Sequence, residues 1–131
     1  MMEEAEKVKS RLEPFGYACL ISEDPDVIEV SCSPKPEAFN RDKINRMEFL
    51  FPKRENLVNI EIIAPLEYAI RPDEINRIVQ AWFKGQTHNY EAHLVGVEFR
   101  DHARESAHAI AADIIRERRK PLVLPRRSVL V

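Results

Sequence analysis

Glycine is scarce in this chain. Only Gly16, Gly85 and Gly96 occur among 131 residues, so no glycine-rich loop can wrap phosphates at the start of a helix, which argues against kinase and dinucleotide chemistry. The same scarcity leaves no glycine-bounded elbow to present a serine or cysteine nucleophile. Cysteine is scarcer still. Cys19 and Cys32 match no zinc or redox spacing and read as small strand side chains rather than a disulfide, given the compartment the N-terminus suggests. That N-terminus, Met1 to Arg11, is mostly Glu, Lys and Ala. It lacks the apolar run of a secretory signal, and no stretch approaches a membrane span, so a cytoplasmic setting without membrane insertion is expected. An excess of positive charge is also missing. Twenty Lys and Arg face 22 Asp and Glu, so no global field attracts nucleic acid, and any anion site must be local.

What is present suits one folded domain. With 44% hydrophobic and 32% charged residues, the chain can bury a single core, expected over residues 1–120, with 121–131 as a tail. Ala5, Val8 and Leu12 recur at helical spacing until Pro14 stops the pattern. Tyr17–Ile21 and Val27–Val30 flank the turn cluster Ser22–Asp26 and read as paired strands. Pro34 and Pro36 open a polar loop through Asn40, a candidate functional edge. Met47, Phe49 and Phe51 alternate with Glu48 and Leu50, and Val58, Ile60 and Ile62 alternate with Asn59 and Glu61, as in a half-buried hairpin. Ile75 to Phe83 fits either a helix or a strand, and its short length and β-branched content favour a strand. His93 to Arg100 is a clearer strand. After it, Asp101 caps a helix whose stripe is Ala103, Ala107, Ile110, Ala111 and Ile114, ended by Pro121.

Few side chains suggest chemistry. His88, His93, His102 and His108 lack metal-ligand spacing and read as solvent or packing residues. Asp101 beside His102 is explained by capping, Trp82 and Phe83 by core packing, and Arg116, Arg118, Arg119 and Lys120 by the negative end of the helix dipole.

The order of elements nevertheless resembles one family. Leu94-Val-Gly-Val-Glu-Phe99 running into a terminal helix, preceded by Arg77-Ile-Val-Gln-Ala-Trp82 as a penultimate strand, is similar to PilZ domains. The resemblance implies a six-stranded antiparallel barrel with a C-terminal helix, here with a short N-terminal helical segment, an α+β fold that is mainly β. It also implies cyclic di-GMP as the candidate ligand. The family's Arg-x-x-x-Arg and Asp/Asn-x-Ser-x-x-Gly motifs align with Lys7-Val-Lys-Ser-Arg11 and Glu29-Val-Ser-Cys-Ser-Pro34, so Lys7, Arg11, Glu29, Ser31 and Pro34 are the candidate ligand residues. Of these, Arg11 and Ser31 keep the family residue. Lysine at 7 gives a point charge where arginine gives a planar fork. Glu29 displaces the acceptor by one methylene, and Pro34 lacks the amide and the φ freedom of glycine.

The expectation is a PilZ-like regulatory or adaptor domain that docks on a protein partner, with cyclic di-GMP binding weakened or lost, no enzymatic activity, no resident cofactor and no metal. A working cyclic di-GMP receptor is the alternative. A small enzyme is the third reading and would need a concave site around Glu29, His93 and His102.

Overall fold

The computed structural model describes residues 2–36, 42–82, 85–100 and 103–120. Its elements run α1 (Met2–Leu12), β1 (Tyr17–Glu23), β2 (Val27–Pro34), β3 (Arg46–Pro52), β4 (Leu57–Ile63), α2 (Pro72–Ala81), β5 (Gly85–Tyr90), β6 (Leu94–Arg100) and α3 (Ala103–Arg119). The strands form one antiparallel sheet in the order β1-β2-β3-β4-β6-β5. Alternation fixes which face is inside. Ile28, Val30 and Cys32, then Met47, Phe49 and Phe51, then Val58, Ile60 and Ile62, then Val95, Val97 and Phe99 are all buried on one side. Val30 lies opposite Phe49, and Phe49 opposite Ile60. A slip of one residue would turn a whole stripe to water, which holds the register.

The helices supply the second layer. Ala5, Val8 and Leu12 of α1, Ile75 and Ile78 of α2, and Ala107, Ile110, Ala111, Ile114 and Ile115 of α3 share one core with the inner faces of the strands. Alanines on α1 and α3 let those two helices pack closely against each other. Among the described residues no helix is long and apolar enough to cross a membrane.

The strand-dominated α+β class follows the expectation, but several details differ. The sheet does not close: β1 and β5 are its outer members. The barrel implied by the resemblance would bury the inner stripes against one another, whereas here three helices cover them. Residues 72–81 are helical, so the strand favoured for 75–83 is corrected. Pro72 in the first turn, Asp73 and Glu74 beside it, and Ile75, Ile78 and Val79 on one face give the segment a helix start and an apolar stripe. The strand preceding β6 is instead the polar Gly85–Tyr90, which alternation of apolar residues could not reveal. The α3 stripe packs into the core of its own domain.

Cys19 and Cys32 form a disulfide, which corrects their reading as separate thiols. Hydrogen bonds from Asp24 to Val27 and from Lys35 to Gly16 set the hairpin phase. That phase places the two cysteines directly opposite each other on the inner face, their Cα atoms 4.1 Å apart, the close spacing of a pair without backbone hydrogen bonds between its members. Asp101, His102, Phe83, part of the Pro34–Asn40 loop and the tail from Pro121 lie outside the described residues.

Candidate functional site

The residues aligned with the cyclic di-GMP motifs do not share a pocket. Lys7 and Arg11 project from α1, whose buried side rests on the inner face of β1 and β2. Glu29 and Ser31 alternate with buried Ile28, Val30 and Cys32, so they lie on the outer face, with the sheet between the two pairs. Pro34 ends β2. Lys7 and Arg11 instead join Glu6, Ser10 and His108 of α3 around a shallow concavity of about 420 Å³. Burial holds the His108 imidazole below its ordinary range, and the facing Arg11 and Lys7 charges lower it further. That arrangement sets two cations beside the Glu6 carboxylate and the Ser10 hydroxyl, on the opposite side of the sheet from Glu29 and Ser31.

The outer face of the sheet carries a different chemistry. Among the described residues all three helices pack on the inner side and none covers this surface. Leu20 is 78% exposed, and Leu50, Ile63 and Leu94 are half-buried on the same face. Glu29, Glu48, Glu61 and Glu98 lie among them. Glu48 pairs with Arg46 at 3.1 Å and Glu98 with Arg100 at 2.6 Å. Glu29 and Glu61 have no ion pair among the described residues, and Glu48 and Glu61 face each other across β3 and β4. Like charges directly opposite destabilise a sheet, so this surface is suited to receiving a cation. His88 of β5 lies against Gly96, where any Cβ would come within 2.6 Å of the imidazole ring.

At one end of the sheet the C-terminus of α3 is tied down by a polar cluster. Asp42 is 4% exposed and accepts from the Tyr17 hydroxyl at 2.8 Å and from Arg119 Nε at 2.5 Å. Arg119 also donates to the Phe15 carbonyl at 3.1 Å and lies over the Phe15 ring. Arg118 donates to the carbonyls of Asp42, Lys43 and Tyr68 and to Glu74. These arginines, expected to serve the dipole and solvent, are structural clamps. A signal for them was present in the helix period, because Ile114 and Ile115 of the buried stripe lead to Arg118 and Arg119 four residues on.

Beside this clamp runs a groove of about 710 Å³ lined by Lys43, Tyr68, Arg71, Glu74, Arg77 and Glu117 among others. Its charges are largely neutralised within the fold. Arg71 meets Glu74, Arg77 meets Glu117, and Lys120 meets Glu117. The indole of Trp82 donates to Asp113 at 2.9 Å, so this side chain also joins α2 to α3. The groove is therefore a seam between two helices.

Among the described residues no group of three or more His, Cys, Asp and Glu is placed to hold a metal ion. His93 contacts Glu91 in the turn before β6, and neither it nor Glu29 lines the concavities above. No protein-family model matches the chain, and no curated protein matches it significantly.

Tyr17 gives the clamp a pH signature. Burial pushes its hydroxyl well above the ordinary value of 10.0, and the hydrogen bond to Asp42 and that carboxylate's charge raise it further. Below pH 10 both folded and unfolded chains hold this proton. Above it the unfolded chain releases the proton first, so folding stability falls as pH rises. Urea midpoints should therefore drop more steeply above pH 10 in the wild type than in Tyr17→Phe, which at neutral pH loses roughly 1.5–3 kcal/mol with one hydrogen bond to a buried carboxylate that Arg119 continues to hold. Parallel profiles above pH 10 would show that Tyr17 is not shielded in this way.

Proposed function

We propose that this chain is a regulatory docking module that binds a partner protein on the outer face of its sheet and performs no chemistry of its own. The outer face, which no helix covers among the described residues, supports this reading most directly. It combines exposed Leu20 and half-buried Leu50, Ile63 and Leu94 with Glu29 and Glu61, which have no ion pair among the described residues. Ser31, Glu29, Glu48 and Glu61 stand between these apolar side chains, and a mixed apolar and polar surface is usual for a non-obligate protein interface. Its acidity favours a partner segment in which aliphatic residues alternate with lysine or arginine. On the same reading the domain is a PilZ-like adaptor in which cyclic di-GMP binding is weakened or lost. The separation of Lys7 and Arg11 from Glu29 and Ser31 supports the loss, since a ligand held by one pair is screened from the other by the sheet.

Two measurements test the proposal. With a photoreactive residue at position 20 in host cells, irradiation should give one discrete heavier adduct, whereas the same residue at exposed Glu105 on α3 should give none. An adduct from position 105 alone, or from neither, contradicts docking on the outer face. Calorimetry with cyclic di-GMP should show no saturable heat at micromolar concentration. Micromolar binding that disappears in Arg11→Ala would instead establish a nucleotide receptor.

A further inference from the structure

The sheet has two edges, β1 and β5, and they differ in how they are defended. Gly85–Tyr90 is polar, and its pairing with β6 is irregular between Thr87 and Asn89, devices that keep an edge from taking another strand. Tyr17–Glu23 has no proline, no lysine and an unbroken register with β2. The phase of that register decides which backbone groups face outward. Asp24 donates to the Val27 carbonyl and Lys35 to the Gly16 carbonyl. Ala18, Leu20 and Ser22 therefore exchange hydrogen bonds with β2, while Tyr17, Cys19, Ile21 and Glu23 turn their amides and carbonyls to the open side. Among the described residues no backbone partner meets those four. Leu20, between them, is 78% exposed.

We propose that β1 pairs antiparallel with β1 of a second copy about a two-fold axis, joining the two six-stranded sheets into one. Only one register uses the whole strand. Because the outward-facing groups belong to Tyr17, Cys19, Ile21 and Glu23, these residues must pair with one another, and full overlap sets Cys19 opposite Ile21 of the copy and Tyr17 opposite Glu23. Roughly eight backbone hydrogen bonds form in this way. Leu20 then lies opposite Leu20 of the copy at a pair without hydrogen bonds, where Cα atoms approach to about 4.5 Å, so the two exposed leucines cover each other and no like charges meet across the seam. The helix layer is self-complementary too. α1 packs over β1 and β2, so the two copies of α1 come about two strand spacings apart, roughly 10 Å, the distance at which helices pack. The two-fold axis runs them antiparallel. Glu3, Glu4 and Glu6 open α1 and Lys7, Lys9 and Arg11 close it, so the acidic half of each helix meets the basic half of the other. α3 stands on the far side of α1, over β4 and β6, clear of the seam.

This pairing leaves the outer faces open, side by side, with the two Leu20 side chains between them, so it stands or falls apart from docking on that face. Sedimentation equilibrium of the full chain tests it. At high micromolar concentration the wild type should have twice the mass of one chain. Leu20→Lys and Leu20→Glu each set like charges opposite one another at the centre of the seam and should each be monomeric, whereas an equimolar mixture of the two should regain the doubled mass. Both changes fall on an exposed side chain, so the fold itself is kept. A monomeric wild type, a dimer that survives in either single variant, or a mixture that stays monomeric would each overturn the proposal. With a photoreactive residue at position 20, an adduct of the chain with itself reports this pairing, and an adduct with a different protein reports docking.

Discussion

A buried carboxylate, Asp42, holds the two layers of this fold together at one end. Taking its charge out of water is costly, and the cost is offset only because Tyr17, at the start of β1, and Arg119, at the end of α3, both donate to it. Arg118 extends the tie by gathering carbonyls from Asp42, Lys43 and Tyr68. Loops that would otherwise leave backbone acceptors unpaired are thereby satisfied by one helix terminus.

The sheet divides its labour between faces. The inner stripes from β2, β3, β4 and β6 bury valine, isoleucine, methionine and phenylalanine against three helices and carry most of the stability, since each such side chain contributes on the order of 1.5–3 kcal/mol when removed from water. The outer face keeps Leu20 in the open and sets Glu48 opposite Glu61, choices that do nothing for stability in isolation.

Much of this was legible in the residues. Alternation located β3 and β4 and assigned Glu48, Leu50, Asn59 and Glu61 to the face away from the core, while the turn cluster Ser22–Asp26 located β1 and β2 and the apolar run before Arg100 located β6. The last helix and its stripe followed from a period that tertiary packing did not override. Residues 72–81 were misread because β-branched content was weighed above Pro72, Asp73 and Glu74, a helix start in plain view. Gly85–Tyr90 escaped because an edge strand with polar side chains has no alternation to show. The disulfide was accessible through symmetry: with Pro25 and Asp26 at the turn, Cys19 and Cys32 fall opposite one another, but a compartment argument was applied where a register argument was decisive. The clamp needed contacts that local pattern does not carry, as Asp42 and Arg119 are 77 residues apart. The ligand residues were grouped by alignment with a motif, and only the fold shows that Lys7 and Arg11 belong to one layer and Glu29 and Ser31 to the other side.

The account depends on Asp42 and Arg119 acting as one unit that fastens α3 to the end of the sheet. A double-mutant cycle in urea with Asp42→Asn, Arg119→Met and their combination measures that coupling directly. Groups in one buried network couple by roughly 0.5–3 kcal/mol, and this pair is predicted in the upper half of that range, with the double variant scarcely less stable than the worse single one. Additive losses, within about 0.5 kcal/mol, would show that the two side chains act independently and that no clamp exists.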